Sequence, residues 1–259
     1  MFAGLYIVGC ANGLFGRVLL SLKTDGLAGL ASVDISIIVL SACVAGCYML
    51  LQNEREELRR RDVVVGVVFT ALAVLPIFAL SWVAVTGLSL YILTLGKGGS
   101  FRRRGALIML ALAASMLWTK LVFNFLMRPI LAIDSILTAV LLGTARDGNL
   151  VGFADGSGTM LVLPACSSFT NVSLAFLCMV TVTQWAGHRW GKVDILWLAT
   201  ACISIVALNV LRLVLTGQSY SYYEVLHSAT GALVFGLIIL FFTVGIAFIS
   251  ARRELFYRP

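Results

Sequence analysis

Apolar runs of membrane-crossing length recur from one end of this chain to the other. A run of roughly 17 to 25 such residues crosses a hydrocarbon core about 30 Å thick as a helix, because a helix satisfies its backbone polar groups within one segment. We read about eight such runs, near residues 4–22, 27–51, 63–79, 80–95, 106–127, 166–186, 195–213 and 227–250. With 60% hydrophobic and 12% charged residues and a mean hydropathy of +1.01, too little polar surface remains to cover a water-soluble globule. The predicted fold class is therefore all-α, a polytopic membrane bundle of about eight transmembrane helices. The first apolar run lacks a basic leader and passes directly into the second, so no cleaved secretory peptide is expected.

The formal charge of +7 does not point to nucleic acid, because the basic residues fall between apolar runs rather than along one solvated face. They report orientation instead. Arg55, Arg59, Arg60 and Arg61 lie in one short connection, Lys97, Arg102, Arg103 and Arg104 in another, Arg189 and Lys192 in a third, and Arg252, Arg253 and Arg258 in the tail. These are most of the 19 lysines and arginines, and the positive-inside rule assigns all four segments to the cytoplasm. Keeping the first two on one side requires two short spans that turn near Pro76 or Ser81, in place of one long tilted helix.

The chain reads as a single membrane domain, residues 1–259, with N-terminal helices over 1–127, an extracytoplasmic segment over 128–165, and a last group of helices over 166–250. The middle segment differs in composition, with Arg146, Asp147, Gly148, Asn149, Asp155, Gly156, Ser157 and Gly158 set among short apolar runs. Ile130 to Leu142 reads as an interfacial amphipathic helix, and Asn149–Phe153 with Thr159–Leu163 as two short strands around a turn. Six cysteines, Cys10, Cys43, Cys47, Cys166, Cys178 and Cys202, lack zinc-site spacing, and no metal or cofactor is expected.

Three reactive side chains share one end of three successive apolar runs. Cys166 opens one, Arg212 closes the next, and His227 opens the last, after a connection rich in Tyr220, Tyr222, Tyr223 and Glu224. A thiol beside a cation yields thiolate near neutral pH, an imidazole moves protons, and a guanidinium stabilises an oxyanion. The trio suits acyl transfer: Cys166 as nucleophile, His227 as general base and acid, Arg212 on the transition-state oxygen.

These residues resemble a known family. Pro164-Ala165-Cys166-Ser167 opening a span, Asn209-Val210-Leu211-Arg212 closing the next, and His227 followed by Gly231 opening the last are similar to the motifs of exosortase and archaeosortase transpeptidases. The likeness covers mainly residues 156–249, and the N-terminal half is similar only in its hydrophobic pattern. It implies Cys166, Arg212 and His227 as catalytic residues. It also implies secreted substrates whose C-terminal tails combine a short motif, a transmembrane helix and a basic cluster, cleaved to a thioester that passes to water or to an amine, such as an amine-bearing lipid or glycan. The implied location is a cytoplasmic (inner) membrane, with the site on the periplasmic or exterior side. One departure is Ser168, where the family usually has Gly after Cys-Ser.

Rival readings are weaker. Lys120 to Arg128-Pro129 approximates the first element of a lipid-phosphatase pattern, but the spacing is one residue too long and the later elements are missing. Ser157 in Gly156-Ser157-Gly158 would need to be a nucleophile in a polar turn. Asp155 and Glu224 are candidate partners for His227. A small-molecule or ion transporter is the alternative function, with Arg17, Asp34 and Lys120 as intramembrane charges; pairing of Arg17 with Asp34 and snorkelling of Lys120 explain these groups without a transport path.

Overall fold

The computed structural model describes residues 2–25, 36–52, 59–75, 77–95, 100–188 and 190–255. Ten α-helices occupy almost all of them: α1 Phe2–Asp25, α2 Ile37–Leu51, α3 Arg60–Val74, α4 Phe78–Leu95, α5 Phe101–Ala113, α6 Thr119–Leu142, α7 Ser168–Ala186, α8 Lys192–Thr216, α9 Tyr220–His227 and α10 Ala229–Leu255. Among the described residues, five helical segments are long and apolar enough to cross a membrane: Phe78–Leu95, Phe101–Leu142, Ser168–Ala186, Lys192–Thr216 and Thr230–Arg252. The chain forms two compact units, one of residues 1–118 with 180–189, the other of residues 119–179 with 190–259.

In the first unit, α3 and α4 fold back on one another in the short hairpin expected from the charge pattern. The Ser81 hydroxyl donates to the Ala73 carbonyl, Gly87 meets the Phe69 ring, and the Tyr91 hydroxyl donates to Asp62, so partners on α3 move back along the chain as those on α4 move forward, as in an antiparallel contact. Helix α1 packs on α4 through Gly9 and Gly13, where added side chains would strike Val85 and Trp82. Small residues at this four-residue spacing let helix backbones approach closely where lipid offers no hydrophobic drive. Asn12 closes the junction, its amide donating to the Ala73 carbonyl and to the Ser81 hydroxyl at 2.7 and 2.9 Å. The expected pairing of Arg17 with Asp34 falls outside the described residues.

The sequence expectation of a span near 106–127 followed by a separate interfacial helix needs correction. Helix α5 runs through a π-helical turn, Ala114–Trp118, straight into α6. Pro129 inside α6 has no N–H to donate and crowds the carbonyl four residues back, so the helix kinks at Leu126 rather than ending. The polar residues of its second half point inward: Asp134, Ser135 and Thr138 are buried, whereas Ile133, Ile136, Val140 and Leu141 are exposed. An interfacial helix would present its polar stripe to water. This one turns it toward protein and leaves its apolar face outward, as helices surrounded by lipid do.

Residues 146–161 form a three-stranded antiparallel sheet, β1 Arg146–Asp147, β2 Leu150–Gly152 and β3 Thr159–Leu161, in that order. The last two lie within the two strands expected from sequence. Gly148, at φ +59°, is the first residue of the two-residue β1–β2 turn, the position that a type II′ hairpin gives to glycine. Val151, Phe153, Met160 and Val162 turn inward and form a cluster with Leu131, Ala139, Cys166 and Leu213. The sheet thus lies directly against Cys166, and the Ala154 amide ties it to the end of α8 by donating to the Gly217 carbonyl at 2.9 Å.

Candidate functional site

Cys166 ends a short 3-10 turn, Pro164–Cys166, two residues before α7 begins. Its side chain is 7% exposed. The expectation that His227 opens the last span is corrected: it is the final residue of α9, a short helix separated from α10 by Ser228. Ser219 caps α9, its hydroxyl accepting the Tyr222 amide at 3.3 Å, so a segment that reads as a tyrosine-rich loop becomes helical. Tyr220, Tyr223 and His227 then share one face. Tyr220 stacks on Tyr223 at 6.1 Å between ring centroids, Tyr223 stacks on His227 at 4.2 Å, and Phe153 of the hairpin packs edge-on against both tyrosines.

This column fixes the plane of the imidazole, and a hydrogen bond fixes its tautomer. His227 Nδ1 lies 3.2 Å from the Tyr223 carbonyl oxygen, which can only accept, so Nδ1 carries the proton. The bare Nε2 then faces Cys166 Sγ at 3.7 Å. Burial is the main influence holding the His227 pKa below the usual 6.5 of histidine; the Arg212 charge adds to it and the Tyr223 hydrogen bond opposes it. The ring is therefore held in the form that can take a proton. Neither sequence candidate partners it: the Asp155 carboxyl accepts the Ser157 amide within the exposed hairpin turn, and no hydrogen bond joins Glu224's side chain to the ring among the described residues. Ser157 itself sits in that exposed turn.

Gly231 explains how α9 reaches Cys166. A Cβ there would collide with the Val225 carbonyl oxygen and lie 2.8 Å from Leu226 Cα, so only a glycine lets α10 start this close to α9.

The four backbone amides from Cys166 to Phe169 are all engaged. The Cys166 N–H donates to the Leu163 carbonyl at 2.9 Å, Ser167 to the Pro164 carbonyl at 3.2 Å, Ser168 to the Asp134 carboxyl at 3.1 Å, and Phe169 to the Ser167 hydroxyl at 3.2 Å. A nucleophile's own amides are common donors to a developing oxyanion; here those four already have other acceptors. The Arg212 guanidinium is half-buried over the Phe235 ring at 5.8 Å and makes no hydrogen bond or ion pair among the described residues. Its fork of donors is open.

Three residues given no catalytic role by the sequence reading surround Cys166. Asn209 of α8, 1% exposed, donates its amide to the Cys166 carbonyl at 2.8 Å and to the Ser168 hydroxyl at 3.0 Å, leaving its own Oδ1 without a partner. Ser168 donates its hydroxyl to Asp134 of α6 at 2.6 Å. The available signal for Asp134 was an acidic residue inside an otherwise apolar helical run. Asp134 and Ser168 also form the polar wall of an open groove of about 850 Å³ between α6, α7 and α8, otherwise lined by apolar side chains such as Ile130, Leu137, Val206 and Val210.

No family model, curated protein or solved structure matches this chain.

Proposed function

We propose that this protein is a membrane cysteine transpeptidase or peptidase that cleaves C-terminal sorting tails of secreted proteins, with Cys166 as nucleophile. The observation that carries the reading is the contact of Cys166 Sγ with the unprotonated Nε2 of His227 at 3.7 Å, the opposite nitrogen being held by a backbone carbonyl. A cysteine kept only for packing needs no oriented base.

His227 Nε2 takes the thiol proton as sulfur attacks the scissile carbonyl. The new C–S bond forms, and the carbonyl oxygen becomes an oxyanion to which Arg212 donates. Collapse of that intermediate breaks the C–N bond while His227 returns the proton to the leaving amine, which leaves a thioester on Cys166. An incoming amine or water gives a proton to His227 and attacks the thioester. The C–S bond breaks, and the thiol recovers its proton.

The charge distribution of the second unit supports a site on the outer side. Lys192 and Arg212 are separated along α8 by about 30 Å at the rise of an α-helix, close to the thickness of a hydrocarbon core. With the basic end in the cytoplasm, the site opens outside the cytoplasmic membrane.

Co-expression with a substrate bearing motif, apolar helix and basic end tests the reading. Cys166→Ala and His227→Ala are expected to leave the tail uncut while the protein stays in the membrane, and hydroxylamine is expected to release a trapped acyl-enzyme from wild type. Normal processing by Cys166→Ala would end the proposal.

A further inference from the structure

Three helices meet at the nucleophile through one directed chain of hydrogen bonds. Asn209 of α8 spends both amide protons, one on the Cys166 carbonyl at 2.8 Å and one on the Ser168 hydroxyl at 3.0 Å. Ser168, the first residue of α7, spends its hydroxyl proton on Asp134 Oδ1 at 2.6 Å and its amide proton on Oδ2 at 3.1 Å. Asp134 of α6 is the terminal acceptor, 2% exposed, with Ser168 at 4% and Asn209 at 1%. No proton in the chain is left to choose between partners.

That closure bears on one backbone segment. From Cys166 to Ser168 the chain leaves a 3-10 turn, passes through extended Ser167 at φ −72° and ψ 138°, and enters α7. Such a joint has no repeating ladder of its own. Its carbonyl at Cys166 is held from α8 and its amide at Ser168 from α6, so the direction of the Cys166 side chain is set by groups on two other helices.

We propose that Asp134 and Ser168 are positioning residues for Cys166, acting through Asn209 and the Ser168 amide to hold the sulfur in line with His227. They touch neither substrate nor reacting atoms. The proposal rests on the peptidase reading for its purpose, but the alignment it describes can be measured without a substrate. It also gives Ser168 a use where the resembling family usually has glycine: its hydroxyl is the link between Asn209 and Asp134.

The test uses full-length protein in detergent and follows iodoacetamide alkylation of Cys166 by mass spectrometry, with the buried Cys178 as an internal reference. Ser168→Ala and Asp134→Asn are each expected to slow alkylation of Cys166 near neutral pH about tenfold, because misplacement of a reacting group by a fraction of an ångström has effects of this order. His227→Ala is expected to slow it as well. The combination of Ser168→Ala with His227→Ala should be no slower than His227→Ala alone, since both act on one alignment. Wild-type alkylation in properly folded Ser168→Ala, or losses that multiply in the double variant as independent structural damage would, overturns the proposal. If Asp134→Asn fails to fold, the Ser168 cycle decides. In a processing assay the same variants should lower kcat and leave KM unchanged. Slowed alkylation in a protein that processes no tail would sink the peptidase reading and leave the positioning role standing.

Discussion

At Cys166 the decisive quantity is which nitrogen of His227 is bare. Burial and the Arg212 charge favour the neutral ring, so on the proposed peptidase reading the base is present at neutral pH and is lost as pH falls through a pKa below 6.5. Turnover should therefore rise with pH on an acid limb whose midpoint lies under the usual histidine value, and Arg212→Gln should move that midpoint upward; a pH series of kcat/KM on the cleaved tail checks both. Arg212→Lys should lose at least about tenfold in kcat, because an ammonium cannot reproduce the open fork of a guanidinium. Asn209→Ala removes the tether on the Cys166 carbonyl, so on the proposed peptidase reading processing should fall at least tenfold, about 1.4 kcal/mol of barrier. It also leaves that buried carbonyl and the Ser168 hydroxyl without this donor, a loss of about 1–3 kcal/mol, so thermal unfolding should move to lower temperature as well.

Element by element, the site depends on where α9 is held. Gly231→Ala would push a methyl group against the Val225 carbonyl and the Leu226 backbone, moving His227 away from the sulfur. We expect this variant to insert normally and to process at less than about a tenth of the wild-type rate, a misplacement effect of the usual order. Tyr223 offers a contrast. Its hydrogen bond to His227 comes from the backbone and its ring only stacks, so Tyr223→Phe should be close to wild type and Tyr223→Ala should not, as measured by tail cleavage. These roles were partly legible beforehand. The tyrosines are conspicuous in the sequence, but their register on one helical face became visible only once Ser219 was seen to cap a helix. The inverted polarity of α6 was not legible, since an amphipathic period reads the same whether its polar stripe meets water or protein.

Across the whole molecule, five helical segments among the described residues are long and apolar enough to cross a membrane, and the proposed orientation can be measured within the second unit. A cysteine replacing exposed Ser157 should react with an impermeant thiol reagent in intact cells, and one replacing exposed Gly191 only after permeabilisation. The reverse pattern would place the site in the cytoplasm. The sequence by itself determined the helical class, the α3–α4 reversal and the short strands, because these follow from local quantities: span length, charge between spans, and turn residues such as Gly148. It also singled out the three reactive side chains. Only the tertiary structure decided that the imidazole presents Nε2 to the sulfur, that the amides from Cys166 to Phe169 are already occupied, and that Asp134 reaches Ser168 from a distant helix. The contact of sulfur with Nε2 and the link of Asp134 to Ser168 join segments 61 and 34 residues apart in the chain, and their direction is fixed by packing, which no periodicity encodes.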